Sequence, residues 1–539
     1  MPESKKQNFL RGAAILTAAS LFARLLGALF RIPVFNILDD AGAGAYQATY
    51  QVYMVILSIS TAGVPVALSR LISSANATGK TGLVKRYFSV ALPAFALLGL
   101  VLMVVMFTFA ESFARFIGTS YAAPGIRVLA PAVFFAGIVS VYRGYAQGFE
   151  NMIPTAMSQA AEAFCRMAFG VAIAMMLDGR GYASEIVSAG SVTGVTIGLA
   201  VCIPILMYYR GKINRTLALQ VSDNAGAPGK KSVLKQILKV SVPITLGSSF
   251  MAVVTLITTS VLLGRLQHGL GLSETAASGY FGQYTRALTI FNLPTAVIVP
   301  MAVTIVPAIA EALANKRRGM ATTIMQSSVK IVNMIAMPAA AGMVVLASPI
   351  MIALYNDTRE IPATILTILG AASFFVCFQL VTTAILQANG HERITMVTLP
   401  IGGTLQIAIN YVLVGNPNIG IIGSAVGVLV CFAVVCVLNV AFIVKRVKER
   451  PKFVAVMLRP LLCAAVMALA AYSTYGLLFR VGSSMLGGGR FAVIVCLAAS
   501  ILVAAVVYLV LIIVTRTITR EDMKLIPKGE KLANFLRIK

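Results

Sequence analysis

Residues 12–38 read GAAILTAASLFARLLGALFRIPVFNIL, an apolar run of membrane-spanning length that carries Arg24 and Arg31 and no carboxylate. On insertion scales an arginine at the bilayer centre costs roughly 2.5–3.5 kcal/mol, while each Leu, Ile, Phe or Val returns only about 0.3–0.6. Two deep arginines therefore cancel most of the hydrophobic gain and need water, a partner or an anionic ligand. Thr17, Ser20, Arg24, Gly27 and Arg31 recur at a 3–4 spacing, so one helix face is polar and the rest is apolar. That pattern predicts a helix lining a wet, positively charged cavity.

The rest of the chain extends this reading. With 58% hydrophobic residues, 12% charged residues and a mean hydropathy of +0.88, it is too apolar for a soluble globule. Runs of spanning length fall near 12–38, 46–74, 85–110, 123–147, 154–177, 183–209, 234–264, 278–310, 322–347, 362–388, 394–415, 419–444, 454–478 and 490–515. The class is an all-α polytopic membrane protein of about 14 transmembrane helices, not a β-barrel of short alternating segments.

Charge assigns topology. Lys5, Lys6 and Arg11 precede the first span, and basic clusters follow the second, sixth, eighth and twelfth spans (Lys80, Lys85, Arg86; Arg210, Lys212, Arg215; Lys316, Arg317, Arg318; Lys445, Arg446, Lys448). The alternate loops lack such clusters. The positive-inside rule puts both termini in the cytoplasm, so the net charge of +26 marks orientation and anionic lipid contact, not nucleic-acid binding. The first run is long, interrupted by arginine and without a small-residue cleavage site, so it is expected to stay in the mature protein. All seven cysteines lie in apolar runs with no CxxC spacing and read as buried packing thiols.

The sequence repeats at an offset of about 240 residues. Gln147-Gly148 through Pro154-Thr155 matches Gln387-Ala388 through Ile394-Thr395, Ala183-Ser184 matches Gly423-Ser424, Arg210 matches Arg450, and Val64-Pro65 matches Val306-Pro307. Six spans is an even number, so the two copies share orientation and form two six-helix lobes in a parallel pseudo-twofold repeat, with a cavity expected between them. The expected division is 1–221 (spans one to six), a cytoplasmic linker 222–233, 234–450 (spans seven to twelve), 451–516 (two extra helices), and a basic tail 517–539 that is either disordered or a short amphipathic helix. Pro65, Pro93, Pro131, Pro243, Pro294, Pro300, Pro307 and Pro338 lie inside spans and permit kinks.

Candidate functional residues follow from these placements. Arg286 in span eight approaches the expected cavity from the second lobe, with Gln283 one turn away, and a pyrophosphate there would satisfy Arg24, Arg31 and Arg286 together. The competing reading pairs each arginine with backbone carbonyls or an interface. Glu162 and Arg166 form an i,i+4 pair, either a local salt bridge or a proton- or cation-responsive latch. Arg143 reads as snorkelling or gating. Tyr46 and Tyr50, with Tyr53, line one face of span two, either hydrogen-bonding sugar or peptide groups or acting as interhelical glue. No HExxH, P-loop, GxSxG or in-span carboxylate pair occurs, so neither an enzyme nor a metal or cofactor site is expected.

Gly42-Ala43-Gly44-Ala45-Tyr46-Gln47, Ser60-Thr61-Ala62-Gly63-Val64-Pro65-Val66-Ala67-Leu68-Ser69-Arg70, Arg143-Gly144-Tyr145-Ala146-Gln147-Gly148 and Leu293-Pro294 with Val306-Pro307-Ala308 resemble the stage V sporulation protein B group. That group lies in the multidrug/oligosaccharidyl-lipid/polysaccharide flippase superfamily, beside the lipid II flippases. The resemblance implies a fourteen-helix flippase of the bacterial cytoplasmic membrane that moves an undecaprenyl-pyrophosphate-linked saccharide outward by alternating access. It also implies cavity arginines in the first and eighth helices, matched by Arg24, Arg31 and Arg286, and a polyprenyl groove framed by the last two helices. Cell-wall or polysaccharide synthesis enzymes are the protein partners it suggests. The arginine that some lipid II flippases carry mid-way along the second helix is replaced here by Val55-Ile56-Leu57-Ser58, which leaves the glycolipid open among lipid II, capsule and spore-envelope precursors. The alternative is a cation-coupled multidrug exporter of the same fold.

Overall fold

Inside a bilayer every backbone N–H and C=O needs an internal partner, so apolar runs of this length become helices. The computed structural model describes residues 3–218, 228–448, 450–486, 489–515 and 517. Most of the expected linker (through residue 227) and the tail from 518 therefore lie outside the described residues.

Among them are α1 (Glu3–Ile37), α2 (Asp40–Thr61), α3 (Val64–Ala77), α4 (Thr81–Thr108), α5 (Ala110–Ile117), α6 (Ala123–Gly148), α7 (Ile153–Asp178), α8 (Ser184–Ala218), α9 (Lys230–Gly264) and α10 (Glu274–Ala314). There follow α11 (Arg318–Val345), α12 (Ala347–Tyr355), α13 (Glu360–Ala388), α14 (Glu392–Leu413), α15 (Ile422–Arg446), α16 (Phe453–Leu486) and α17 (Arg490–Val514). Fourteen spans among the described residues are long and apolar enough to cross a membrane. Helix bounds also recur: Thr81–Thr108 and Ala110–Ile117 return 237 residues later as Arg318–Val345 and the start of α12 at Ala347.

Span two is broken rather than bent. α2 ends at Thr61 and α3 begins at Val64, with Pro65 in its first turn, where a missing N–H costs nothing. Gly63 is needed at the break because a Cβ there would lie 2.1 Å from the Ser241 carbonyl oxygen. The other prolines named above sit inside continuous helices. The sequence reading lacked α5 and α12, short helices between spans three and four and between spans nine and ten.

By mutual packing the chain forms two compact units, Met1–Thr285 and Arg286–Lys539, and the boundary falls within α10. In the first unit α9 and the start of α10 pack with α2–α5 rather than beginning a separate body. Small polar contacts hold them: the Gly63 N–H donates to Thr245 Oγ1 (3.1 Å), Ser58 Oγ to Ser249 Oγ (3.0 Å), Tyr87 OH to Gln236 Oε1 (2.7 Å), and Ser278 Oγ to the Ala41 carbonyl (3.1 Å). This packing explains why the compact unit runs past the linker expected at 222–233. In the second unit α10, α11, α13 and α15 share a core that includes Val329, Val332, Phe378, Val381 and Cys436. A second core, including Met337, Cys463, Met467, Leu497 and Tyr508, joins α16 and α17 to α11.

Candidate functional site

The first unit brings arginines, tyrosines and one glutamate together on α1, α2, α6 and α7. Their placement begins with backbone packing. Gly190, Gly194 and Gly198 form a stripe on α8 at a spacing of four, the arrangement that lets helices approach closely. Cβ atoms added at Gly194 and Gly198 would lie 2.7 Å and 2.9 Å from the carbonyl oxygens of Arg166 and Glu162. The α8 glycines thus set α7 at the level of Glu162 and Arg166.

Glu162 is shared. Arg166 Nη2 donates to its Oε1 at 2.8 Å and Arg143 Nη2 to its Oε2 at 3.0 Å; the three side chains are 17–20% exposed. Arg143 Nε also donates to Ser158 Oγ (2.9 Å), which fixes the guanidinium plane. Arg143, read from sequence as snorkelling or gating, is therefore tied to α7. Arg166 reaches further, donating from Nη1 to the Tyr50 hydroxyl at 3.4 Å.

The arginines of α1 differ. Arg31 lies over two rings, 5.5 Å from the Tyr50 centroid and 6.0 Å from that of Tyr46, within cation–π range. Tyr46 and Tyr50 are stacked (6.0 Å) and Tyr53 follows at 5.6 Å, so the tyrosine face of α2 is a continuous aromatic ladder. Arg24 is exposed and makes no hydrogen bond or ion pair with any described residue. Its helix is tied to α7 by Ser20 Oγ donating to Gln159 Oε1 (2.9 Å), and a Cβ on Gly27 would be 3.8 Å from Arg166 Nη1. Four guanidiniums thus stand on α1, α6 and α7, and two of them, Arg143 and Arg166, share one carboxylate.

Gln283 does not join this cluster: its Nε2 donates to Asp40 Oδ2 (3.1 Å) at the start of α2. Arg286 belongs to the second unit, where it is buried and ion-paired to Asp357 (3.6 Å), with Tyr355 5.8 Å beneath it. Asp357 also receives Arg359 Nε and Nη2 at 2.8 and 2.6 Å. Burial pushes the Asp357 carboxyl up, but the hydrogen bonds and charge of Arg359 and the charge of Arg286 outweigh this and leave it below its ordinary value. Sequence reasoning missed Asp357 because its partner Arg286 is remote in sequence. It missed Arg143 as a Glu162 ligand for the same reason. The α8 glycine spacing was a readable signal.

All seven cysteines are buried, and none is joined in a disulfide.

A family model described as "Polysaccharide biosynthesis protein" matches residues 9–313, more than half of the chain. The chain belongs to this family. Its relatives include stage V sporulation protein B of Bacillus subtilis (strain 168), 24% identical over 97% of this chain and 98% of that protein. Lipid II flippase MurJ of the same organism is 22% identical over 75% of this chain and 77% of its own length. Among solved structures, lipid II flippase MurJ in an inward closed conformation superposes with a TM-score of 0.66 at 15% identity, covering 93% of this chain and 98% of that one. An inward-facing multidrug resistance MATE family transporter of the MOP superfamily gives 0.63 at 17% identity, covering 81% and 98%. The family member described here is a multi-pass membrane protein with the fold of that superfamily, two six-helix repeats followed by two further helices.

Proposed function

We propose that the chain is a flippase that moves an undecaprenyl-pyrophosphate-linked saccharide, lipid II or a related envelope precursor, from the inner to the outer leaflet of a bacterial cytoplasmic membrane. Both termini are cytoplasmic in this reading, no chemistry is catalysed, and no cofactor is used. The observation that carries it is the charge surplus on α1, α6 and α7. Arg143 and Arg166 divide Glu162 between them, and Arg24 and Arg31 have no carboxylate among the described residues. An anionic cargo supplies the missing charge: at about 4 Å and an effective dielectric near 20, each new pair is worth up to about 4 kcal/mol before desolvation. Tyr46 and Tyr50 offer ring faces and hydroxyls to the headgroup. Arg286, which the sequence reading also assigned to the cargo, is already ion-paired to Asp357 and would have to release it to bind an anion. The relatives named for lipid II flipping and sporulation support this cargo class.

The MATE-like fold suggests cation-coupled drug export as a second reading, which needs an available in-membrane carboxylate. Of the 18 Asp and Glu residues, Glu162 alone lies well away from the ends of the spanning helices, and it is held by two arginines. The export reading is therefore the weaker.

The test joins glycolipid identification to mutagenesis. Mass spectrometry should find a polyprenyl-pyrophosphate saccharide co-purifying with the wild type, and the gene should rescue a flippase-depleted bacterium. Arg24→Ala should lose both while melting no lower, because it leaves no carboxylate unpaired, and Arg31→Ala should lose both with a small loss of stability, about 1 kcal/mol, from its contacts with the Tyr46 and Tyr50 rings. Wild-type rescue by both variants would refute the assignment.

A further inference from the structure

Away from the arginine–tyrosine cluster, the first unit holds a second concentration of charge, in a cavity of about 390 Å³ where α5 lies against the starts of α6 and α8. Two arginines and two glutamates line it, Arg115, Arg127, Glu111 and Glu185, with only small apolar side chains such as Ala123 and Pro124 between them. The four charges cancel, so the cavity offers no net attraction to a simple anion or a simple cation.

The charges are not equivalent. Arg127 Nη2 donates to Glu111 Oε1 at 2.6 Å, an exposed pair of the kind that contributes little to stability. Arg115 and Glu185 make no hydrogen bond or ion pair with any described residue. They stand on different helices, α5 and α8, and line the same cavity. α6 adds a direction. It opens with Pro124 in its first turn and no side chain caps it, so the positive end of a 26-residue helix reaches the cavity at Ala123 and Pro124. Arg115 and the α6 start therefore favour an anionic group, and Glu185 favours a cationic one, in a single cavity. A zwitterion satisfies both.

The amphipathic α5 shows from which side a ligand arrives. Phe109 and Phe116 are exposed on the face opposite Glu111 and Arg115, as in a helix lying at a membrane surface. The charged face is then the one turned to water, and alanine and proline give an acyl chain no apolar channel. By the positive-inside rule this end of spans three and four is extracytoplasmic, since the Lys80, Lys85 and Arg86 cluster lies at the other end of span three.

We propose that this cavity is an extracytoplasmic site for a small soluble zwitterion of the amino-acid or peptide class, its carboxylate on Arg115 and its ammonium on Glu185. Occupancy joins α5 to α8. α5 and the turn after it are already tied to α9, to the turn following α9 and to α10: Ser260 Oγ donates to the Phe116 carbonyl, Gln267 Nε2 donates to the Gly118 carbonyl, and the Tyr121 hydroxyl lies 2.7 Å from Thr275 Oγ1. A bound zwitterion thus braces the extracytoplasmic end of the first unit. The site uses none of Arg24, Arg31, Arg143, Glu162 and Arg166 and stands whether or not the chain is a flippase.

Isothermal titration calorimetry of the full-length protein in neutral detergent tests it, with L-alanine, L-alanyl-L-alanine, acetate and ethylamine as probes. The wild type should bind alanine or the dipeptide at least tenfold more tightly than acetate or ethylamine. Arg115→Gln and Glu185→Gln should each weaken that binding at least tenfold. Arg115→Lys, which keeps the charge, should stay within threefold of the wild type and guards against a result due to misfolding. Absence of binding by both zwitterions, equal affinity for acetate, or unchanged binding in the two glutamine variants would overturn the proposal. So would loss of amino-acid binding in micelles doped with phosphatidylethanolamine, which would assign the cavity to a lipid headgroup.

Discussion

Replacing Glu162 with glutamine separates the two meanings this residue can have. Its oxygens lie 2.8 and 3.0 Å from the two guanidiniums. At an effective dielectric near 20 each contact has a gross attraction of about 6 kcal/mol, most of it offset by desolvation. Removing one partner of a buried pair costs about 3–5 kcal/mol, because the other is left charged and uncompensated. Glu162 is 17% exposed, so the lower figure applies, and Arg143 and Arg166 would then add to the positive surplus. Glu162→Gln should therefore lower stability by about 3 kcal/mol, read as a fall of several degrees in the thermal midpoint of detergent-purified protein. The double variant Glu162→Gln, Arg166→Gln should lose less than the sum of the two single changes, since they remove one shared interaction. If instead Glu162→Gln melts like the wild type but abolishes the pH dependence of transport, the carboxylate is a coupling group and the ion-pair reasoning fails.

Gly194→Leu should destabilise by about 1–3 kcal/mol, because the side chain must displace the α7 backbone, whereas Gly211→Ala in the same helix, with open space around it, should be near neutral; equal melting of the two would refute the packing argument. Asp357 has a folded-state pKa below its unfolded value, so its contribution is present in full above the unfolded pKa of about 3.9 and is lost as pH falls through the folded one. The gap in thermal midpoint between wild type and Asp357→Asn should then stay constant from pH 5 to 8 and narrow below about pH 4; a gap that widens on acidification would contradict the assigned sign.

Hydropathy made the fourteen spans legible because lipid leaves the backbone no alternative to helix. It could not reveal α5 (AESFARFI) and α12 (ASPIMIALY), which are too short to register as spans. The polar face of α1 identified Arg24 and Arg31 without reference to any neighbour. Pairing is different, since nothing near Arg286 in sequence announces Asp357 and nothing near Arg143 announces Glu162. The grouping of α9 with the first unit was hidden for a related reason. It depends on serine, threonine and glycine contacts such as Gly63 with Thr245, residue types that recur in every span.

The way α1 is attached bears on how the unit works. Its C-terminal third is anchored, with Phe30, Val34 and Phe35 at most 1% exposed, whereas Phe22 and Leu29 are 52% and 49% exposed. Ser20, one turn before Arg24, ties the helix to Gln159 of α7 as well, so α1 is held on both sides of Arg24, which stands about 10 Å along the helix from Arg31. Under the proposed function the helix would offer an anion one exposed guanidinium and, two turns on, a second already seated against its tyrosines, so capture and retention would fall to successive turns of a single element.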